Sequence, residues 1–126
     1  MRRFLALALV PLALGLAAAC GPPAPPPNPN IALGEQMAAE YGWTGGEWAC
    51  LHDLWMAESG WNHLARNGSS GATGIPQALP GYKMASHGDD WATNPATQIA
   101  WGRDYIAGRY GSPCGAWGHF RSRGWY

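Results

Sequence analysis

Apolar residues recur every three or four positions in four stretches of the chain, which is the spacing of one face of an α-helix. The first stretch, 31–41, is predicted to be a short helix ending near Gly42. Two later helices are predicted to begin at Asn94 and Ser112, because a polar cap followed by proline is typical of a helix start. No stretch alternates as a half-buried strand does, so we expect a small, mainly α domain with little or no strand.

The second of the four helices has the clearest pattern. Residues 44–47, Thr-Gly-Gly-Glu, match a capping box at its start, and Gly60 predicts its end. One face of this helix carries Trp48, Leu51, Trp55 and Glu58. We therefore expect Glu58 at the edge of an apolar surface, where burial raises the pKa of a carboxyl group. The alternative is a solvated carboxylate at a helix end. A polar loop with three glycines follows at 62–74.

The beginning of the chain has the composition of an export signal. Residues 1–19 combine two arginines, an apolar run and small residues ahead of Cys20, which predicts a signal peptide. Cys20 is a candidate for lipidation, and simple secretion is the alternative. Residues 20–30 are mostly proline and small residues and predict an extended linker. Residues 31–126 would then form one domain outside the cell or in its envelope.

The charge of the chain excludes one class of partner. The formal net charge is zero, and loss of the two arginines in the signal leaves a slightly acidic domain with Lys83 as its only lysine. Because no basic run is available to contact phosphates, nucleic-acid binding is not expected. The four histidines lack metal-ligand spacing, so neither a metal nor another cofactor is predicted.

The three cysteines suit an exported chain. If Cys20 carries a lipid, Cys50 and Cys114 are left as a pair, and a disulfide between them would stabilise a domain with a modest core. Two buried free thiols are the alternative. A free thiolate at Cys50 or Cys114 beside a base such as His119 would instead predict a cysteine hydrolase.

Two motifs resemble those of a known enzyme family. Residues 58–62, Glu-Ser-Gly-Trp-Asn, and 71–77, Gly-Ala-Thr-Gly-Ile-Pro-Gln, resemble the motif pair of the soluble lytic transglycosylases. The stretch 94–106 resembles the next helix of that family, and the likeness runs over 48–117. The tryptophan-rich end and the cysteine pair look closer to exported actinobacterial members.

The resemblance implies a lysozyme-like fold and cleavage of the β-1,4 bond between MurNAc and GlcNAc in peptidoglycan. In that family one glutamate, here Glu58, protonates the glycosidic oxygen. It then takes the proton of the muramyl C6 hydroxyl, which attacks C1 and closes a 1,6-anhydro ring. Gln77 matches the substrate-binding glutamine of the motif. Asn67 and Ser70 are candidates to hydrogen-bond Glu58 or the muramyl acetamide.

Aromatic residues supply the remaining site candidates. Trp117 stands where many members of the family have a tyrosine that reaches the catalytic acid. Either Tyr105 or Tyr110 would replace that phenol, or the step needs no phenol. The candidate sugar platforms are Trp61, Trp91, Trp101 and Trp117. For each of these tryptophans, packing in the core is the alternative.

The absence of a second well-placed acid favours the one-glutamate reaction. Asp53 points about 140° away from Glu58 around the helix. Asp89 and Asp90 lie in a segment without a clear pattern, and Asp104 is expected on a solvated helix face. The alternatives are a muramidase, in which water attacks and two carboxylates are usual, and a non-catalytic, tryptophan-rich peptidoglycan-binding module. We expect a monomer whose partner is the peptidoglycan glycan strand.

Overall fold

The computed structural model describes residue 15 and residues 21–126 of the chain. The described part contains four α-helices and one 3-10 helix. They are α1 (Pro29–Ala39), α2 (Gly46–Ser59), the 3-10 helix (Gly81–His87), α3 (Pro95–Tyr110) and α4 (Pro113–Arg123). Between residues 21 and 126, pairing of extended segments is limited to two isolated β-bridges. The expectation of a mainly α domain is confirmed, whereas the predicted signal peptide, apart from residue 15, and Cys20 lie outside the described residues.

Polar side chains cap three of the four α-helices. Asn94 and Ser112 cap α3 and α4 as predicted, their side chains accepting hydrogen bonds from the backbone N–H groups of Ala96 and Gly115. Asn28 caps α1, so this helix begins at Pro29, ahead of the predicted start. A single polar residue before a proline therefore fixed each of these starts.

The predicted capping box of α2 is wrong. Gly45, with φ 55°, occupies the cap position, and no side chain caps the helix. The Glu47 carboxylate instead accepts a hydrogen bond of 2.9 Å from the backbone N–H of Cys114 on α4. A hydrogen bond to α4 thus replaces the predicted hydrogen bond of Glu47 within the capping box. The predicted end is confirmed, since Gly60 closes α2 in the left-handed conformation.

The hydrophobic core lies where α2 packs against α4 and where the side chains of α2 meet α1 and α3. Its fully buried large apolar side chains include Leu51, Leu54, Trp55, Trp61, Ile75, Ile99 and Ile106. Two tryptophans of this set pack edge to face with ring centroids 5.2 Å apart. The indoles of Trp55 and Trp61 therefore form part of the core next to the end of α2.

Cys50 of α2 and Cys114 of α4 form a disulfide, with Cα atoms 5.0 Å apart. The predicted pair is confirmed. Because both sulfurs are in this bond, neither residue supplies the free thiolate that a cysteine hydrolase requires, and that alternative is wrong. Among the helices described, none is long and apolar enough to cross a membrane.

Candidate active site

A cleft of about 540 Å³ opens at the end of α2. It is lined by Glu58, Asn67, Ser70, Ala72, Pro76, Gln77, Ala78, Leu79, Lys83, Trp101, Tyr105, Arg109, Gly124, Trp125 and Tyr126. These residues come from α2, from the loop that follows it, from the 3-10 helix, from one face of α3 and from the segment after α4. The cleft therefore brings together segments that are far apart in sequence.

Glu58 lies on the last turn of α2 and reaches the cleft half-buried. The neighbouring Ser59 ties this helix end to the loop, because its hydroxyl donates a hydrogen bond of 2.7 Å to the carbonyl of Ile75. The same hydroxyl lies 3.3 Å from the carbonyl of Trp55 within α2. In the Glu-Ser pair of the motif, Glu58 thus lies in the cleft and Ser59 anchors the end of α2 to the loop.

Burial raises the pKa of Glu58 from its ordinary value to about 7. Its carboxyl group makes no hydrogen bond or ion pair within residues 21–126 that would favour the charged form. The end of a helix also carries the negative pole of the helix dipole, which opposes a carboxylate. Glu58 is consequently part protonated and part ionised near neutral pH, as a group that must give and accept a proton should be.

Within the described part of the chain, the cleft contains no second carboxylate. Asp53 is exposed on α2, 3.1 Å from His52. Asp90 accepts hydrogen bonds from two side chains at the start of α3, and these bonds lower its pKa. Asp104 pairs with His87 away from the cleft, and that hydrogen bond lowers its pKa. None of these three acids lines the cleft that contains Glu58.

Gln77 lies in the wall of the cleft, as predicted for a substrate contact. It ends a tight turn that begins at Gly74 and is closed by two backbone hydrogen bonds of 3.0 Å between Thr73 and Ala78. Its φ of 55° is unusual for a residue other than glycine, and its Nε2 donates to the carbonyl of Gly74 at 2.9 Å. Its amide oxygen accepts no hydrogen bond from residues 21–126, so it is free to accept a hydrogen bond from a ligand.

A buried amide holds this turn in place. Gln98 of α3 is fully buried, and its Oε1 accepts a hydrogen bond of 2.9 Å from the N–H of Ile75. Its Nε2 donates to the carbonyls of His63 and Trp91, each at 2.9 Å. A Cβ at Gly74 would collide with this amide, which explains the last glycine of the motif. The sequence analysis placed Gln98 in the stretch 94–106 that resembles the family's next helix, but it did not predict that Gln98 holds the turn.

Asn67 and Ser70 both line the cleft. The Asn67 Oδ1 accepts hydrogen bonds from the backbone N–H groups of Ser69 and Ser70, at 2.9 and 3.1 Å, and shapes the loop. Neither predicted residue hydrogen-bonds Glu58. Contact of Asn67 and Ser70 with the muramyl acetamide stays a prediction.

The predicted aromatic platforms do not all lie in the cleft. Trp101 and Tyr105 line the cleft and stack with ring centroids 5.1 Å apart. Trp61 is fully buried, and its Nε1 donates to the carbonyl of His52, so the prediction that it contacts substrate is wrong. Its φ of 59°, directly after Gly60, turns the chain back so that the indole enters the core.

Trp117 lies outside the cleft lining and stacks on Phe120, with ring centroids 5.6 Å apart. Tyr110, a candidate for the phenol near the acid, is also outside the lining, and its hydroxyl is buried without a partner in the described chain. The structure therefore does not place Trp117 or Tyr110 beside Glu58 in the cleft. Both side chains pack against the core instead.

Besides Tyr105, the cleft contains the phenol of Tyr126, which sequence reasoning missed. Its hydroxyl accepts a hydrogen bond from Trp55 Nε1 and donates one to the carbonyl of Pro76, both at 2.8 Å. Burial, with a smaller effect from the nearby Glu58 charge, raises the pKa of Tyr126 well above its ordinary value. Tyr126 thus links α2 to the turn beside the acid and stays neutral. The aromatic pair after Gly124 was the available signal.

No protein-family model matches this chain, and no curated protein or solved structure matches it either. Within the described residues, no group of three or more His, Cys, Asp or Glu side chains is arranged to hold a metal ion. The chemistry available in the cleft is therefore that of one carboxyl group with a raised pKa, together with two basic side chains, Lys83 and Arg109, and with amides, hydroxyl groups and aromatic faces.

Proposed function

We propose that this protein is a peptidoglycan lytic transglycosylase that cleaves the β-1,4 bond between MurNAc and GlcNAc and forms 1,6-anhydro-MurNAc. One observation carries the proposal: a single half-buried glutamate, Glu58, has a pKa of about 7 in a cleft with no other acidic residue among those described. The motif resemblance at 58–62 and 71–77 agrees with it.

The reaction uses Glu58 twice. The protonated carboxyl group donates its proton to the glycosidic oxygen as the bond from that oxygen to C1 breaks. The carboxylate then accepts the proton of the C6 hydroxyl, whose oxygen forms the new bond to C1. The proton balance closes on Glu58, so neither a second carboxylate nor a water molecule is needed. A pKa near 7 favours both steps, because the two forms of the carboxyl group are then close in free energy.

The residues in the walls of the cleft can orient the sugar rings of the substrate. The free amide oxygen of Gln77 can accept a hydrogen bond from a sugar hydroxyl or from the acetamide N–H. The flat faces of Trp101 and Tyr105 suit the apolar faces of sugar rings. Leu79 and Trp125 are large apolar residues that stay about half exposed at the cleft, at 53% and 49%, which is typical of a surface that binds a ligand.

Replacing Glu58 with glutamine tests the proposal. Glutamine keeps the size of the side chain and cannot cycle a proton, so we expect Glu58→Gln to fold normally and to lose lytic activity on purified peptidoglycan by at least about 100-fold. The matched control is Glu35→Gln, the same change at an exposed position of α1, which should retain activity.

Mass spectrometry of the digest identifies the reaction. Anhydro-muramyl ends support transglycosylation, whereas reducing ends would mean that water attacks and that the enzyme is a muramidase. Binding of glycan strands without any cleavage, equal in the wild type and in Glu58→Gln, would contradict the enzyme and favour a binding module.

A further inference from the structure

A second concavity, of about 420 Å³, lies beside the cleft. We call it the distal groove; it is lined by Arg66, Ser70, Gly71, Thr73, Pro80, Gly81, Tyr82 and Trp91. Ser70 lines both the cleft and the distal groove, and the consecutive residues Tyr82 and Lys83 line one each. The two concavities are therefore neighbours that meet at Ser70, and a chain-like ligand in the cleft can continue into the distal groove.

The floor of the distal groove is tightly packed. A Cβ on Gly81 would lie 2.7 Å from Thr73 Oγ1 and 3.1 Å from Trp91 Cζ3, so the three residues are in direct contact. Gln98 fixes the backbone of Trp91 through the 2.9 Å hydrogen bond to its carbonyl. The shape of the groove is thus present before any ligand binds, which lowers the entropic cost of binding.

The rim of the groove has an aromatic ring and an unpaired cation. Tyr82 is 68% exposed, the highest value among the large hydrophobic residues that the structure describes. Arg66 is exposed and makes no side-chain hydrogen bond or ion pair within residues 21–126. No acidic residue lines the groove in the described part of the chain, although the acidic side chains there outnumber the basic ones. The groove therefore suits a ligand with a flat apolar face and a negative charge.

We infer that the distal groove binds a further segment of the same glycan strand, at a sugar that carries a carboxylate on its lactyl or peptide substituent. Tyr82 and Trp91 contact the sugar ring, and the Arg66 guanidinium pairs with the carboxylate. This inference rests on the proposed function for the identity of the ligand. It adds that the protein prefers long strands with free carboxylates over short or uncharged ones.

Titration calorimetry tests the inference on the full domain in a Glu58→Gln background, which keeps the strands intact. The ligands are a peptidoglycan tetrasaccharide, an octasaccharide with free carboxylates, and the same octasaccharide with its carboxylates amidated. We expect Arg66→Ala and Tyr82→Ala each to weaken binding of the free-acid octasaccharide about tenfold and to leave the tetrasaccharide unchanged. Amidation should abolish the effect of Arg66→Ala. The control Arg121→Ala removes an exposed cation that lines neither concavity.

Equal affinity of Arg66→Ala and Arg121→Ala for the free-acid octasaccharide would overturn the inference. Turnover is measured separately, with Glu58 intact. If binding depends on Arg66 but no strand is cleaved, the catalytic proposal fails and the distal groove stands. If strands are cleaved and octasaccharide binding is insensitive to Arg66 and Tyr82, the distal groove fails and the catalytic proposal stands. Absence of binding by all three ligands contradicts both.

Discussion

At the residue scale, Glu58 combines a chemical advantage with a cost in stability. Burial without a hydrogen bond favours its protonated form, which is the form that donates a proton. Its pKa in the folded protein is about 7, against an ordinary value of 4.5, so the folded state holds this proton more tightly than the unfolded state does. Stability must then fall as the pH rises through that interval, in contrast to a carboxylate stabilised by an ion pair.

We predict that Glu58→Gln stabilises the protein at pH 8 and changes its stability little at pH 4. Above pH 7 the wild type must keep an ionised carboxylate in the cleft, and glutamine removes that cost; below pH 4.5 both side chains are neutral. Thermal unfolding followed by circular dichroism from pH 4 to pH 8 measures the difference. Exposed Glu35→Gln should show no such trend, and a gap for Glu58→Gln that does not grow between pH 4.5 and 7 would contradict a raised pKa.

The sequence predicted the position of Glu58, because a helical stripe of apolar residues and a terminating glycine determine which way the last turn faces. It could not predict Trp61, whose positive φ reverses the direction of the chain immediately after Gly60. The sequence did not predict the position of Tyr126 either, because this position depends on hydrogen bonds to Trp55 and Pro76 rather than on any periodic pattern. Local spacing therefore located the acid but not the positions of Trp61 and Tyr126.

At the scale of elements, the cleft depends on how closely α3 approaches Trp55 and the turn. A Cβ on Gly102 of α3 would lie 2.6 Å from Trp55 Cζ2 and 3.0 Å from the Cβ of Pro76. Glycine lowers helix propensity, so its presence inside α3 reflects this packing. The predicted starts of α3 and α4 are confirmed because their caps are local, whereas the capping box of α2 is wrong because Glu47 binds α4.

We predict that Gly102→Ala destabilises the protein and that Gly108→Ala, on the same helix, stabilises it. Nothing lies within 4 Å of a Cβ at Gly108, so alanine there should add about 1 kcal/mol to the free energy of unfolding through helix propensity alone. At Gly102 overpacking outweighs that gain and should lower the free energy of unfolding by about 1–2 kcal/mol. Urea denaturation compares the two variants, and equal effects would contradict the close contact between α3 and Trp55.

At the scale of the whole molecule, the site is assembled from segments that the chain separates widely. Glu58 precedes the loop wall at 67–79, and that wall precedes the α3 face and the segment after α4. The sequence predicted the helices and the motif residues Glu58 and Gln77. It could not predict that Arg109 and Trp125 complete the cleft, because this depends on how α4 packs against α2 and α3.

The Cys50–Cys114 disulfide is the covalent link within this packing, and we predict that its loss destabilises the whole domain. It closes a loop with a sequence separation of 64 between α2 and α4. In the chain-entropy description, the Cys50→Ala/Cys114→Ala variant should lose about 4 kcal/mol of unfolding free energy, because the unfolded chain gains freedom while the folded core keeps its contacts. Urea denaturation of the variant and of the wild type with and without dithiothreitol measures this loss. Reduced wild type should match the variant, and the variant should not respond to dithiothreitol. An unchanged midpoint of reduced wild type, with both thiols detected by a thiol reagent, would show that helix packing alone holds α2 against α4.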